Sequence, residues 1–206
     1  MTETEKMLSG RLYDPADAEL AAMRKNARRL CKAYNDCDPD DEDRQDELLH
    51  RLLPQLGENS WVNAPLQFDY GCFIEIGQRC FVNYNFTVLD CAPVKIGDDV
   101  FIGPNVSLMP PVHPLLHEER KLYARADGVL TDREYALPVT IGDGCWIAAN
   151  VVVCGGVTIG AGSVIGAGSV VTHDIPAGVL AAGNPCRVLR PLTEADSVLH
   201  KPSLFE

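Results

Sequence analysis

Two different hydrophobic periods divide the chain near residue 57. Before that point apolar residues recur at three- and four-residue spacing, which predicts amphipathic helices. The first helix, roughly 15–34, carries an apolar stripe formed by Leu20, Met23, Ala27, Leu30 and Tyr34. The second, roughly 40–56, begins in an acidic run suited to a helix N-terminus and buries Leu48, Leu49, Leu52 and Leu53. Residues 1–57 are therefore expected to form a helical cap.

Beyond residue 57 aliphatic residues recur every six positions. They are Ile76, Val82 and Val88, then after an eight-residue step Ile96, Ile102 and Leu108, and after a long interruption Ile141, Ile147, Val153, Ile159, Ile165 and Val171. This period predicts a mainly β chain wound into a parallel β-helix, in which three hexapeptides make one triangular coil. A sandwich or barrel would instead alternate with period two and space its strands irregularly.

The repeats predict one β-helical domain over residues 58–190 and a C-terminal tail over 191–206. His113 stands where the six-residue period breaks. The chain is expected to leave the column there as a long loop, residues 113–138. A loop at the end of a coil can present reactive side chains without interrupting the stack.

Charge and composition narrow the range of partners. The 206 residues carry a net charge of −11, which argues against nucleic acid or an anionic membrane as the main partner. No apolar run approaches the ~20 residues of a membrane span, and the first ten residues lack a signal core. We expect a cytoplasmic protein whose eight cysteines are reduced and pack as small apolar groups.

Short motifs along the whole chain resemble one family. They are the segment 5–13, Asp69-Tyr70-Gly71, Asn83-Tyr84-Asn85, Leu89-Asp90, the segment 103–106, His113-Pro114, the segment 138–142 with Trp146-Ile147, and the segment 183–188. Together they resemble the galactoside and maltose O-acetyltransferases among the hexapeptide-repeat transferases. The resemblance implies a left-handed β-helix, acetyl-CoA as co-substrate without a required metal, and a homotrimer with active sites between subunits.

The resemblance also implies direct transfer of acetyl to a sugar hydroxyl in a ternary complex, with His113 as general base. A neutral imidazole can accept a hydroxyl proton near physiological pH. The alternative for an isolated histidine is a surface or core position without chemistry, and the His-Pro context favours the catalytic interpretation. His117 lacks that context and is expected to be a loop residue.

For the acceptor, the resemblance places Asn83, Asp90 and Asp69 in the sugar pocket. Carboxylates and carboxamides can hydrogen-bond adjacent sugar hydroxyls. Asparagine and aspartate are also common at coil corners, which is a competing explanation for Asn83 and Asn105. Asp90 stands in an apolar run, which favours a functional role over a turn. Cys91 is interpreted as a packing or specificity residue rather than a nucleophile.

For the cofactor, the resemblance implies contacts along the later coils and near the end of the column. The residues concerned are Ala149, Ala167, Trp146, Thr172, His173, Arg187 and Arg190. Small side chains let the pantetheine arm approach the backbone, and arginines can grip phosphate through forked donors. Trp146 has the alternative of a buried structural indole. His173 departs from the family, which usually has lysine there, and the segment 121–133 looks longer than in the galactoside enzymes.

Two other functions fit the same fold. A zinc hydratase of the γ-carbonic-anhydrase type needs three convergent histidines, and only His113, His117 and His173 are candidates. A non-catalytic trimeric scaffold would need neither His113 nor the arginines. Metal analysis and CoA binding distinguish these alternatives from a transferase.

Overall fold

The computed structural model describes residues 1–205, and its N-terminal part is helical. The helices are α1 (Glu3–Leu8), α2 (Ala18–Asn35) and α3 (Glu42–Leu52). Asp17 and Asp41 cap α2 and α3 by accepting hydrogen bonds from backbone N–H groups in their first turns. The two longer helices confirm the three- and four-residue pattern. The short helix α1 was not predicted as a separate element, because six residues are too few to show a period.

The rest of the chain consists of short strands. In chain order they are β1 (Gln55–Leu56), β2 (Trp61–Val62), β3 (Leu66–Phe68), β4 (Ile74–Ile76), β5 (Phe81–Val82), β6 (Phe86–Val88), β7 (Val94–Ile96), β8 (Phe101–Ile102), β9 (Ser107–Met109), β10 (Pro111–Val112), β11 (Tyr123–Ala124), β12 (Leu130–Thr131), β13 (Tyr135–Ala136), β14 (Val139–Ile141), β15 (Trp146–Ile147), β16 (Val152–Cys154), β17 (Thr158–Ile159), β18 (Val164–Ile165), β19 (Val170–Val171), β20 (Val179–Ala182) and β21 (Arg187–Pro191). Three short 3-10 helices follow, Glu194–Asp196, Val198–His200 and Pro202–Leu204.

Three parallel sheets form the faces of a β-helix. The first face has the order β1-β4-β7-β14-β17, the second β2-β5-β8-β15-β18-β20-β21, and the third β3-β6-β9-β16-β19. Within each face, strands separated by one coil pair in register, as Ile96 does with Ile141. At the end of the column β21 turns back and pairs antiparallel with β20. The predicted parallel β-helix is therefore confirmed.

The interior of the column is built by the six-residue anchors. Each of the twelve predicted anchors is buried, with at most 2% of its surface exposed. The eight-residue step between Val88 and Ile96 corresponds to a wider corner, residues 89–93, between the third and first faces. Helices α2 and α3 pack against the first coils, where Tyr34 and Leu52 join the same apolar core. The cap thus covers one end of the stack, which would otherwise be an unpaired edge.

The tight corners of the column require glycine or residues that tolerate a positive φ. A Cβ on Gly160 would lie 2.4 Å from the backbone nitrogen of Ala177 in the next coil, so only glycine fits without displacement. At the corner between the second and third faces, Asn85, Asn105 and Asn150 all adopt positive φ. Their carboxamides form a ladder, with Nδ2–Oδ1 distances of 2.9 Å and 3.1 Å between successive residues. The corner explanation is therefore confirmed for Asn105.

The interruption of the repeats is an ordered excursion rather than a bare loop. After β10 the chain forms a short helix, α4 (His117–Arg120), and a two-stranded hairpin of β11 and β12. It then returns as β13, which pairs antiparallel with β10. No helix among residues 1–205 is long and apolar enough to cross a lipid bilayer.

Candidate active site

His113 lies directly after β10, where the excursion leaves the third face. Its side chain is 47% exposed in the single chain, and its Nδ1 lies 3.4 Å from Oδ2 of Asp132. Glu134 completes a group of three in which one ligand atom from each residue lies within 4.8 Å of the others. The pairing of β10 with β13 causes this convergence, because it brings the returning strand beside the residue before His113.

The N-terminal segment holds the returning part of the excursion. The Tyr13 N–H donates to the backbone carbonyl of Glu134 at 3.1 Å, and the Tyr13 hydroxyl donates to the Glu134 carboxylate. Asp14 accepts hydrogen bonds from Thr131 Oγ1 and Arg125 Nη1, both at 2.5 Å. These bonds lower the pKa of the Asp14 carboxyl despite the opposing effect of desolvation. We call residues 13 and 14 the N-terminal strap.

A buried polar cluster connects Asp69 with the strap. The Cys91 thiol lies 3.8 Å from Asp69 Oδ2 and also interacts with Tyr13 and Glu134. Burial raises the pKa of the Cys91 thiol well above its usual range, which disfavours a nucleophilic thiolate. Burial also raises the pKa of Asp69, although the guanidinium of Arg24 opposes that shift. Cys91 thus contacts both Asp69 and Glu134. Through these two contacts Asp69, which is predicted to bind the acceptor, is linked to the surroundings of His113.

Asp90 does not face this cluster as a free ligand. Its side chain is completely buried, and its Oδ1 accepts the Tyr70 N–H at 2.8 Å. Its Oδ2 accepts the Phe73 N–H at 3.4 Å. Desolvation raises the pKa of Asp90 to about 6, in opposition to these hydrogen bonds. In one chain the Asp90 carboxylate therefore holds the turn that follows Asp69, and its contact with a sugar stays a prediction.

Asn83 lies at a different corner from His113. It follows β5 at the corner between the second and third faces, whereas His113 and Asp69 lie between the third and first faces. The Asn83 side chain is half-buried and its Oδ1 accepts the Tyr84 N–H at 2.8 Å. One chain therefore does not bring Asn83 together with His113.

Ala149 and Ala167 lie at the same corner as Asn83, and the two alanines are one coil apart from each other. Their side chains are small, and the Ala149 nitrogen lies 2.7 Å from where a Cβ on Gly103 would stand. The backbone N–H groups of both alanines have no acceptor among residues 1–205, although the Ala149 carbonyl accepts from Gly168. Two free N–H donors beside small side chains suit close approach of a ligand carbonyl.

Trp146 lies on the outer surface of the second face, 54% exposed in the single chain. Within one chain the indole is therefore not a core residue. Thr172 and His173 are exposed at the corner after β19, and Thr172 Oγ1 lies 2.9 Å from His173 Nδ1. Two arginines on β21 are also exposed. Arg190 already pairs with Asp196 at 2.6 Å. Within residues 1–205 the Arg187 side chain donates only to the adjacent Cys186 carbonyl, at 2.9 Å.

Known proteins share both halves of this architecture. The model of the maltose acetyltransferase hexapeptide capping motif matches residues 6–57, and that of the bacterial transferase hexapeptide, with six repeats, matches residues 138–173. The galactoside O-acetyltransferase of Escherichia coli strain K12 is 40% identical over 196 residues, which cover 95% of this chain and 92% of that protein. The chain belongs to the maltose and galactoside O-acetyltransferase family. Its members include characterised acetyltransferases, and the chain is accordingly an acetyltransferase.

Solved structures of this family agree with the fold. A maltose O-acetyltransferase from Clostridium difficile 630 has 39% identity and a TM-score of 0.86, covering 94% of this chain and 99% of that chain. A hexapeptide-repeat acetyltransferase from Vibrio cholerae, complexed with acetyl coenzyme A, has 39% identity and a TM-score of 0.82. It covers 94% of this chain and 100% of that chain.

The zinc hydratase finds little support in the chain itself. Among residues 1–205, the only group of three candidate ligands within reach of one another contains a single histidine, His113. His117 and His173 do not join it. Sequence reasoning missed Asp132, Glu134 and Tyr13, because their proximity to His113 arises from strand pairing in a segment without repeats.

Proposed function

We propose that the protein transfers acetyl from acetyl-CoA to a hydroxyl of a sugar, such as maltose, glucose or a galactoside, with His113 as general base. The observation that carries the proposal is the position of His113, half-exposed at a column edge beside the Asp69 cluster, in a chain of this family. The imidazole takes the hydroxyl proton while the oxygen attacks the thioester carbon. The C–S bond then breaks, and the proton passes from the imidazole to the leaving sulfur of CoA.

The free N–H groups of Ala149 and Ala167 support the cofactor assignment. A backbone N–H aimed at the thioester oxygen stabilises the negative charge that develops there. Arg187 and Thr172, together with His173, are proposed to contact the phosphate end of CoA. Arg190 can join them only when it leaves Asp196, its present ion-pair partner. Asp69 and Asn83 are proposed to bind the acceptor.

The second face supports a trimer. In-register pairing stacks outward-facing apolar side chains from coil to coil, and these residues are Trp61, Phe81, Phe101, Trp146, Val164 and Leu180. We call this row the apolar stripe. The first face instead presents polar side chains such as Glu75, Lys95 and Thr140. We propose that a second copy covers the apolar stripe and that Asn83 and Ala149 of one subunit then face His113 of another.

An acetyl-CoA consumption screen tests the function. The acceptors are glucosides, galactosides, maltose and, as an antibiotic alternative, chloramphenicol. His113→Ala is expected to lower turnover by roughly 10²–10⁴-fold while CoA affinity stays nearly unchanged. Normal turnover in that variant would contradict the role of His113. Absence of transfer to any sugar, with transfer to chloramphenicol, would contradict the acceptor class.

A further inference from the structure

The carboxylate of Asp132 lies close to one ring nitrogen of His113. Asp132 Oδ2 lies 3.4 Å from Nδ1, within ion-pair range, and the Asp132 side chain is 23% exposed. Among residues 1–205 no side chain or backbone group forms a hydrogen bond to this carboxylate, and the His113 ring is its only ion-pair partner. Glu134, the second carboxylate near the ring, is in contrast bonded to the Tyr13 hydroxyl. Asp132 is therefore the acidic group whose sole close partner is the imidazole.

The backbone around Asp132 is fixed from both sides by the N-terminal strap. On one side Thr131 is buried and donates its hydroxyl to Asp14. On the other side the Glu134 carbonyl accepts the Tyr13 N–H. Because residues 131 and 134 are already held, placing the Asp132 side chain against the His113 ring costs little additional conformational entropy. The strap thus gives Asp132 a defined position in an exposed excursion.

We propose that Asp132 is a positioning residue for His113. This inference rests on the proposed function. The ring keeps its proton on Nδ1, facing the Asp132 carboxylate, so that the unprotonated Nε2 on the opposite side of the ring is presented to the acceptor hydroxyl. When Nε2 takes that proton, the adjacent Asp132 carboxylate stabilises the imidazolium. The proton later passes from Nε2 to the sulfur of CoA.

Steady-state kinetics of Asp132→Asn test the proposal. We expect about 10-fold lower kcat, with KM for acetyl-CoA within about 2-fold of the wild type, because a partly exposed contact of 3.4 Å stabilises less than a buried hydrogen bond. Glu118→Gln is the matched control, an exposed carboxylate of the same excursion that pairs with Lys121. Its kcat should equal that of the wild type. Wild-type kcat in Asp132→Asn would overturn the proposal.

A double-mutant cycle separates positioning from a merely structural role. If Asp132 acts through His113, Asp132→Asn should cause no further loss in the His113→Ala background. An equal further loss in that background would overturn the proposal. Asp132→Glu should recover part of the kcat lost in Asp132→Asn, since it restores the negative charge.

A spectroscopic measurement tests the contact independently of turnover. Nitrogen-15 NMR of the neutral His113 ring, assigned by its absence in His113→Ala, should show the Nδ1–H tautomer in the wild type and a shift toward Nε2–H in Asp132→Asn. An unchanged tautomer ratio would overturn the positioning role. If His113→Ala keeps full turnover while the tautomer shift is observed, the general-base assignment fails and the contact itself stands.

Discussion

Asp90→Asn distinguishes a structural carboxylate from an acceptor ligand. The substitution keeps an oxygen that can accept the Tyr70 N–H, but it removes the charge and faces an amide N–H toward Phe73. The lost Phe73 hydrogen bond is 3.4 Å long and therefore weak. The main consequence is that a buried titrating group, with its pKa raised to about 6 by desolvation, is replaced by a neutral one.

The size of the effect follows from linkage. Because the pKa is raised from 3.8 to about 6, the group contributes stability that is complete below the unfolded pKa and disappears as pH rises through the folded pKa. The whole change is on the order of 3 kcal/mol. Because the sequence pI is about 4.8, the measurements are made above that pH, over roughly pH 5.5 to 7.5. Over this range the contribution of Asp90 to the free energy of unfolding falls by about 1 kcal/mol. Wild type should lose that much more stability than Asp90→Asn across the range.

Urea unfolding at fixed protomer concentration measures the difference, because an oligomer's apparent stability depends on concentration. Acceptor KM is measured for the same two proteins and is expected to agree within about 2-fold, since the buried carboxylate touches no acceptor. Parallel pH dependence of the two stabilities, accompanied by an acceptor KM raised 10-fold or more, would refute this reasoning. That result would instead support a contact between Asp90 and the sugar.

Three further predictions address the column, its assembly and the cofactor. Gly160→Ala should lower the free energy of unfolding by about 2 kcal/mol or more, because the added Cβ would collide with the next coil. Gly162→Ala should cost clearly less, since its added Cβ would have no atom within 4 Å, although the residue has a φ of +68°. Calorimetry of both variants checks this order. Trp146→Glu should dissociate the proposed trimer and abolish transfer, as measured by sedimentation and acetyl-CoA consumption, and an intact active trimer would show that the apolar stripe is not the interface. Arg187→Ala should raise the Kd for CoA about 10-fold in calorimetric titration, while an unchanged Kd would remove Arg187 from the phosphate site.

The fold was predictable because its signal is repeated. Each six-residue anchor identifies one inward-facing strand position, and twelve agreeing positions leave few alternatives. The same alternation of side chains could have predicted the burial of Asp90. Phe86 and Val88 face inward, so Leu89 faces outward and Asp90, two residues after Val88, faces inward again. By the same rule Asp69, one residue after the inward-facing Phe68, points outward.

The environment of His113 was not predictable in the same way. Asp132 and Glu134 reach the ring only because β13 pairs with β10, and neither two-residue strand carries a period that would reveal the pairing. The strap adds contacts between residues more than one hundred positions apart, such as the bond from Thr131 to Asp14. Such contacts depend on where the packing of α1 and α2 places the N-terminal segment, and a local sequence pattern does not reveal that position.

A β-helix confines its chemistry to edges and added segments. Inside the column every coil repeats the same apolar contacts, and a buried polar residue such as Asp90 is bonded to backbone groups. Outward positions along a face lie in flat rows, which suit contact with another copy. Only a corner can present free N–H groups, as at Ala149, and only the excursion can place Asp132 beside His113. Because these two features occupy different corners of one chain, the proposed site would draw them from two subunits.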